Sequence, residues 1–64
     1  MKTLEEKLFD AAKHGNLKEI KSLVEQGADI HAEDDTALRL SAEYGHLEVV
    51  NYLALQIGKN NENT

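Results

Sequence analysis

The 64 residues carry twelve acids against seven bases, a formal net charge of −5, and neither cysteine nor proline. A chain this short holds one domain at most and buries only about 60% of its unfolded surface. The absent thiols exclude disulfides and thiolate metal sites, and the acidic balance argues against nucleic acid or an anionic membrane as partner, since phosphate surfaces call for concentrated base.

The start, Met1-Lys2-Thr3-Leu4-Glu5-Glu6, turns acidic at once, unlike a signal peptide. No apolar run approaches the roughly 20 residues of a membrane span. A soluble, intracellular setting is therefore expected.

Thr3 and Glu6 have the spacing of a capping box. Leu4, Leu8, Ala11 and Ala12 then recur on one helical face. Gly15 stops this first helix, because glycine tolerates the left-handed conformation that follows a helix end. Asn16 can cap the second, with Glu19 in its first turn and Leu17, Ile20, Leu23 and Val24 as its apolar stripe. Gly27 ends it. Two helices joined by so short a connection must run antiparallel.

Ala28 to Asp35 is too short for a helix and carries no long strand pattern. It reads as an extended connector with one apolar anchor, Ile30, and a tight exposed turn at Glu33-Asp34-Asp35. Asp35 or Thr36 then caps a third helix lined by Ala37, Leu38, Ser41 and Ala42. Gly45 stops it, His46 takes Asn16's place, and Leu47, Val50, Leu53, Ala54 and Ile57 form the last stripe. Lys59 to Thr64 reads as a polar, frayed tail.

The two halves repeat each other at a distance of thirty positions. Leu8, Ala12, Gly15, Leu17, Leu23 and Gln26 recur as Leu38, Ala42, Gly45, Leu47, Leu53 and Gln56, with Ala11 matched by Ser41 and Ile20 by Val50. Such self-similarity signals a repeat architecture. It predicts that Leu8 and Leu38 occupy equivalent buried sites, as do Leu23 and Leu53.

Gly27-Ala28-Asp29, together with Thr36-Ala37-Leu38-Arg39-Leu40-Ser41-Ala42-Glu43-Tyr44-Gly45-His46, resembles ankyrin repeats. The likeness covers about residues 4 to 57 and recurs in register: Leu8, Ala11, Ala12, Gly15, Ile20, Leu23, Gly27, Ala28 and Asp29 in one copy, Thr36, Leu38, Ser41, Ala42, Gly45, His46, Val50 and Leu53 in the other. Ala37 and Arg39 stand where the family has Pro and His. The period is thirty rather than thirty-three, so the projecting hairpin is shortened, a form similar to repeats of large DNA viruses. Ile57 stands where a further glycine would lead into another repeat.

The resemblance implies an all-α fold of two helix-turn-helix pairs with a shortened connector. It gives a single domain over 1–64, with repeat one at about 4–33, repeat two at about 34–58 and the polar tail at 59–64. It implies a scaffold for protein–protein interaction without catalytic activity. By carry-over the partner surface is His31, Glu33, Asp34, Asp35, Arg39, Glu43 and Tyr44, with Lys13 and His14 from the first copy. The competing reading is a structural or self-associating unit, or a terminal fragment of a longer array.

Neither chemistry nor ligands are expected. The two serines are Ser22 and Ser41, and Ser41 pairs with the packing residue Ala11. Two stacked helix pairs offer little cleft in which to perturb a carboxylate pair. His14, His31 and His46 include no i, i+4 pair on one helix, so no metal site is expected. Glu33-Asp34-Asp35 lacks the alternating acids and the glycine of a calcium loop. No cofactor is expected.

Two repeats fall short of the three that a stable stack normally needs. Leu40, Val49, Tyr52 and Leu55 are read as outward apolar groups of the last helix pair, open to a weak homodimer through the C-terminal repeat. The three acids at the connector turn suit a partner with a basic surface, whose approach their charge would speed.

Overall fold

The computed structural model describes residues 1–60, the side chains of residues 59 and 60 excepted. Among the described residues there are four helices and no strand: α1 (Leu4–His14), α2 (Leu17–Glu25), α3 (Ala32–Glu43) and α4 (Leu47–Asn60). α1 packs on α2 and α3 packs on α4, which makes two helix pairs. The pairs stack through α1 against α3, with α2 touching α4.

Local signals fix most boundaries. Thr3 and Glu6 form the full capping box: Glu6 N–H donates to Thr3 Oγ1 at 3.1 Å and Thr3 N–H donates to Glu6 Oε1 at 2.9 Å. Gly15 is left-handed at φ 70°, and Gly45 repeats it at φ 79°. Asn16 caps α2 by accepting from Glu19 N–H at 3.3 Å.

The core is Leu8, Ala11, Ala12, Ile20, Leu23, Ala28, Ile30, Ala37, Val49 and Leu53, with Ser41 fully buried among them. Ser41 Oγ donates to Leu38 carbonyl oxygen at 2.8 Å, so its hydroxyl is satisfied within its own helix. This is the small packing residue that its pairing with Ala11 implies.

Three expectations change. The first concerns Leu38, which is only partly buried although its counterpart Leu8 is fully buried. Likewise Leu47 is 70% exposed and Ala42 is exposed. Conversely Val49, read as outward, is fully buried. The buried stripe of repeat two is therefore rotated toward Ala37, Ser41 and Val49. The reason is the stack: repeat two buries the side that faces repeat one, whereas repeat one buries the side that faces repeat two.

The second concerns the connector. It is compact, not extended. Asp29 Oδ1 accepts from His31 N–H at 2.9 Å, and Ala32 N–H donates to Asp29 carbonyl oxygen at 3.1 Å, which closes a turn around the Asp29 side chain. Glu33, Asp34 and Asp35 then take φ of 56°, 60° and 62°, one turn of left-handed backbone. α3 is right-handed only beyond them. Ile30 is buried, as its role of anchor requires.

The third is the end of α4, which runs through Asn60 and so two residues into the expected polar tail. Residues 61–64 of that tail lie outside the described residues.

Candidate functional site

The left-handed turn sets the geometry of the connector tip. Left-handed backbone crowds Cβ against the following carbonyl, at roughly 1–2 kcal/mol per ordinary residue. Asp tolerates it better than Glu, since a short polar side chain can bond locally. Asp35 does so: its Oδ1 accepts from His31 Nδ1 at 2.6 Å, and its N–H donates to His31 carbonyl oxygen at 3.1 Å. Thr36 Oγ1 donates to Glu33 carbonyl oxygen at 2.5 Å. Thr36 and Asp35 thus brace the turn, in place of the helix-cap roles expected of them. Glu33 and Asp34 are left exposed at the tip.

Eight of the nine carried-over residues fall into two groups, one toward each end of α3. His31, Glu33, Asp34 and Asp35 form the connector tip. Glu43 and Tyr44 sit at the far end of α3, about 12 Å along its right-handed part. Lys13 and His14 hold the same places at the end of α1, and all nine are exposed except the half-buried Asp35. Arg39 lies between the groups, exposed and without an ion pair among the described residues. The set therefore has acids at one end of α3 and a mixed, aromatic-bearing group at the other, where Tyr44 is 53% exposed.

His46 ties the far edge together. Its Nε2 donates to Lys13 carbonyl oxygen at 2.9 Å, across 33 positions of sequence. Since a carbonyl only accepts, Nε2 carries the proton. The sequence pointed to a bond at the start of its own helix; the structure uses the ring to join the repeats. His14 Nδ1 bonds instead to Asp10 carbonyl oxygen at 2.8 Å, one turn back in its own helix. Lys21 Nζ stands 5.7 Å from the Tyr52 ring centre, a second tie between the pairs.

Some contributors carry no local sequence signal. Glu5 Oε2 accepts from Asp29 N–H at 2.9 Å, which anchors the connector to α1 from 24 positions away. Lys2, ahead of α1, donates a hydrogen bond to Asp10 of α1 in an exposed ion pair, which holds the Lys2 ammonium above and the Asp10 carboxyl below their ordinary values. Among the described residues no group of His, Asp and Glu is arranged to hold a metal ion. No helix among them is long and apolar enough to cross a membrane.

Residues 5–64 match the family model described as ankyrin repeats in three copies. The chain belongs to the ankyrin repeat family. An ankyrin repeat protein of Rickettsia felis is 42% identical over 50 residues, which is 73% of this chain and 79% of that protein. Ankyrin repeat domain-containing protein 40 of Mus musculus is 35% identical over 65 residues, 95% of this chain but 18% of the mouse protein. An ankyrin repeat and KH domain-containing protein of Caenorhabditis briggsae is 44% identical over 48 residues, 72% of this chain and 2% of its own length. The chain thus spans a small part of the mouse and nematode proteins and most of the rickettsial one. No solved structure gives a significant match. Ankyrin repeats are in general scaffolds for protein–protein interaction.

Proposed function

We propose that this chain is a non-catalytic interaction module, in a soluble setting, that docks a protein with a basic surface. The docking surface runs from the connector tip (His31, Glu33, Asp34, Asp35) past Arg39 to Glu43, Tyr44, Lys13 and His14. The observation that carries this reading is the left-handed run at Glu33, Asp34 and Asp35. Three non-glycine residues hold an unfavourable conformation, and while the Asp35 carboxylate turns to His31, it leaves the like charges of Glu33 and Asp34 exposed side by side at the tip. Backbone strain of this kind concentrates at binding sites.

The charge speeds and orients encounter, an effect that salt screens over roughly 8–10 Å. Tyr44 supplies rigid contact area at the other end of the surface. The test is the association rate of a captured partner with wild type and with the Glu33→Gln, Asp34→Asn double variant, at low and high salt. The double variant should associate more slowly at low salt and equally at high salt. An unchanged rate at low salt, in a variant that remains folded, contradicts steering by this turn.

A second reading is self-association through the C-terminal repeat. It is favoured by Leu55 and Leu47, 64% and 70% exposed on α4. A third, one unit of a longer array, draws support from the two relatives of which the chain spans only a small part.

A further inference from the structure

The thirty-residue register sorts the helix positions into three groups by what each repeat faces. Ala11 with Ser41 and Leu23 with Leu53 are buried in both copies, inside their own helix pairs. Leu8, Ala12 and Ile20 are fully buried in repeat one, whose helices α1 and α2 pack against α3 and α4, while Leu38, Ala42 and Val50 are exposed or partly exposed. The last group reverses that order: Ala37 and Val49 are fully buried, and their counterparts Lys7 and Glu19 are exposed and charged.

The two ends of the stack therefore differ in kind. The N-terminal end carries Lys7 and Glu19 in place of apolar contacts, backed by the Lys2–Asp10 ion pair. The C-terminal end carries the residue types that repeat one uses for stacking, Leu, Ala and a β-branched aliphatic, left exposed or partly exposed among the described residues. It continues the interface between the repeats by one more period.

A second copy cannot cover this end head to tail. That arrangement would set Lys7 and Glu19 of one copy against Leu38, Ala42 and Val50 of the next and take charged groups out of water against apolar side chains, which opposes it. The end matches itself instead. We propose that the chain forms a closed two-fold dimer, tail to tail, in which Leu38, Ala42 and Val50 of two copies cover each other.

Such a dimer stacks four repeats with a polar, charged unit at each outer end, the arrangement that stable stacks require. A two-fold interface of this kind closes at two and does not grow. The inference rests on the self-association reading and adds its face, its symmetry and its stopping point. Each copy carries a net charge of −5, so like-charge repulsion opposes the dimer and added salt should strengthen it. That sign is opposite to the one expected for a basic partner at the connector tip.

The experiment is sedimentation equilibrium of the full chain across a wide concentration range at low and high salt. Alongside wild type run Ala42→Glu, which alters an exposed position, and the double variant Lys7→Ala with Glu19→Val, which gives the N-terminal end the residues of the Ala37–Val49 face. Wild type should pass from monomer to dimer and no further, with a dissociation constant that falls as salt rises. Ala42→Glu should raise that constant at least tenfold while its dilute-solution circular dichroism and melting stay those of wild type. The double variant should form species larger than the dimer. Wild type that stays monomeric at every concentration overturns the proposal and the self-association reading together. A dimer that survives Ala42→Glu overturns the face and leaves self-association standing.

Discussion

His46 stands directly over Gly15: a methyl group on Gly15 would lie 2.6 Å from Cγ of the His46 ring. Gly15 occupies a left-handed conformation as well, so it is confined twice, once by its own backbone and once by the next repeat. Gly45 holds the same backbone conformation with nothing within 4 Å of the added carbon. The two glycines are repeats of one another, and among the described residues a following repeat packs over Gly15 alone.

Gly15→Ala should therefore cost more than Gly45→Ala. Gly45→Ala meets only the left-handed strain, roughly 1–2 kcal/mol. Gly15→Ala adds the displacement of the His46 ring and its bond to Lys13, a further 1–3 kcal/mol or so by analogy with overpacked cores. Urea melts of the two variants check the order. Equal losses would remove His46 from the contact between repeats.

Leu8→Ala and Leu38→Ala should differ in the same sense. A fully buried leucine costs roughly 2–5 kcal/mol on truncation. A domain this small has only about 3–5 kcal/mol to lose, so Leu8→Ala should be largely unfolded. Leu38, partly exposed, should lose less than about 2 kcal/mol and stay folded in dilute solution. Thermal melting at low concentration separates the two, and a Leu38→Ala chain as unfolded as Leu8→Ala would contradict the rotated stripe.

Glycine should be harmless or helpful at Glu33. The left-handed conformation costs a glycine nothing, which offsets the entropy it adds to the unfolded chain. Glu33→Gly should match or exceed wild-type stability, whereas Glu43→Gly, in right-handed helix, should lose about 1 kcal/mol. Equal losses in chemical denaturation would mean that the turn at Glu33 is not left-handed.

The Lys2–Asp10 pair gives a small acid dependence. The Asp10 carboxyl titrates below its ordinary value in the folded chain, so its contribution is present above the ordinary carboxylate range and is lost as pH falls through the depressed value. Lys2 titrates above its ordinary value, so its share is present at neutral pH and is lost only as pH rises through the raised one. Both side chains are exposed, so the effect is slight and screened by salt. Wild type should melt above Asp10→Asn at neutral pH and low salt, and the gap should close in acid. A gap that widens in acid would contradict the pair.

Helix ends and the repeat were legible in the sequence because their causes are local. The Thr3–Glu6 box, Asn16 and the glycines at 15 and 45 act within a few residues. The fold class followed from the resemblance to ankyrin repeats, which the register of Leu8 with Leu38 and its companions helps to carry. Burial at Leu38, Val49 and Leu47 was not legible, because it depends on what lies on either side of a repeat, and a pair of matching residues does not say on which side each copy packs against the other. The left-handed turn was hidden for a related reason. Glu33 and Asp35 carry no glycine signal, and the turn is held by His31 and Thr36 after the chain has already folded back around Asp29. Of the candidate surface, the tip could be located from its acids. The division of eight of the nine residues between two ends of α3, and the bond from His46 to Lys13, needed the stack itself.

The most direct test of this stack is the reactivity of one thiol placed at each of two matched positions. The chain has no cysteine, so Ala12→Cys and Ala42→Cys each carry a single reporter. Their rates with a thiol reagent are compared in dilute native solution and in urea. Ala42→Cys should react natively within about tenfold of its unfolded rate. Ala12→Cys should be slowed by roughly 100-fold or more, because its reaction must wait for unfolding that costs about 3 kcal/mol or more. Equal protection at the two positions would contradict a stack that is covered on one side of each repeat and open at Leu38, Ala42 and Val50.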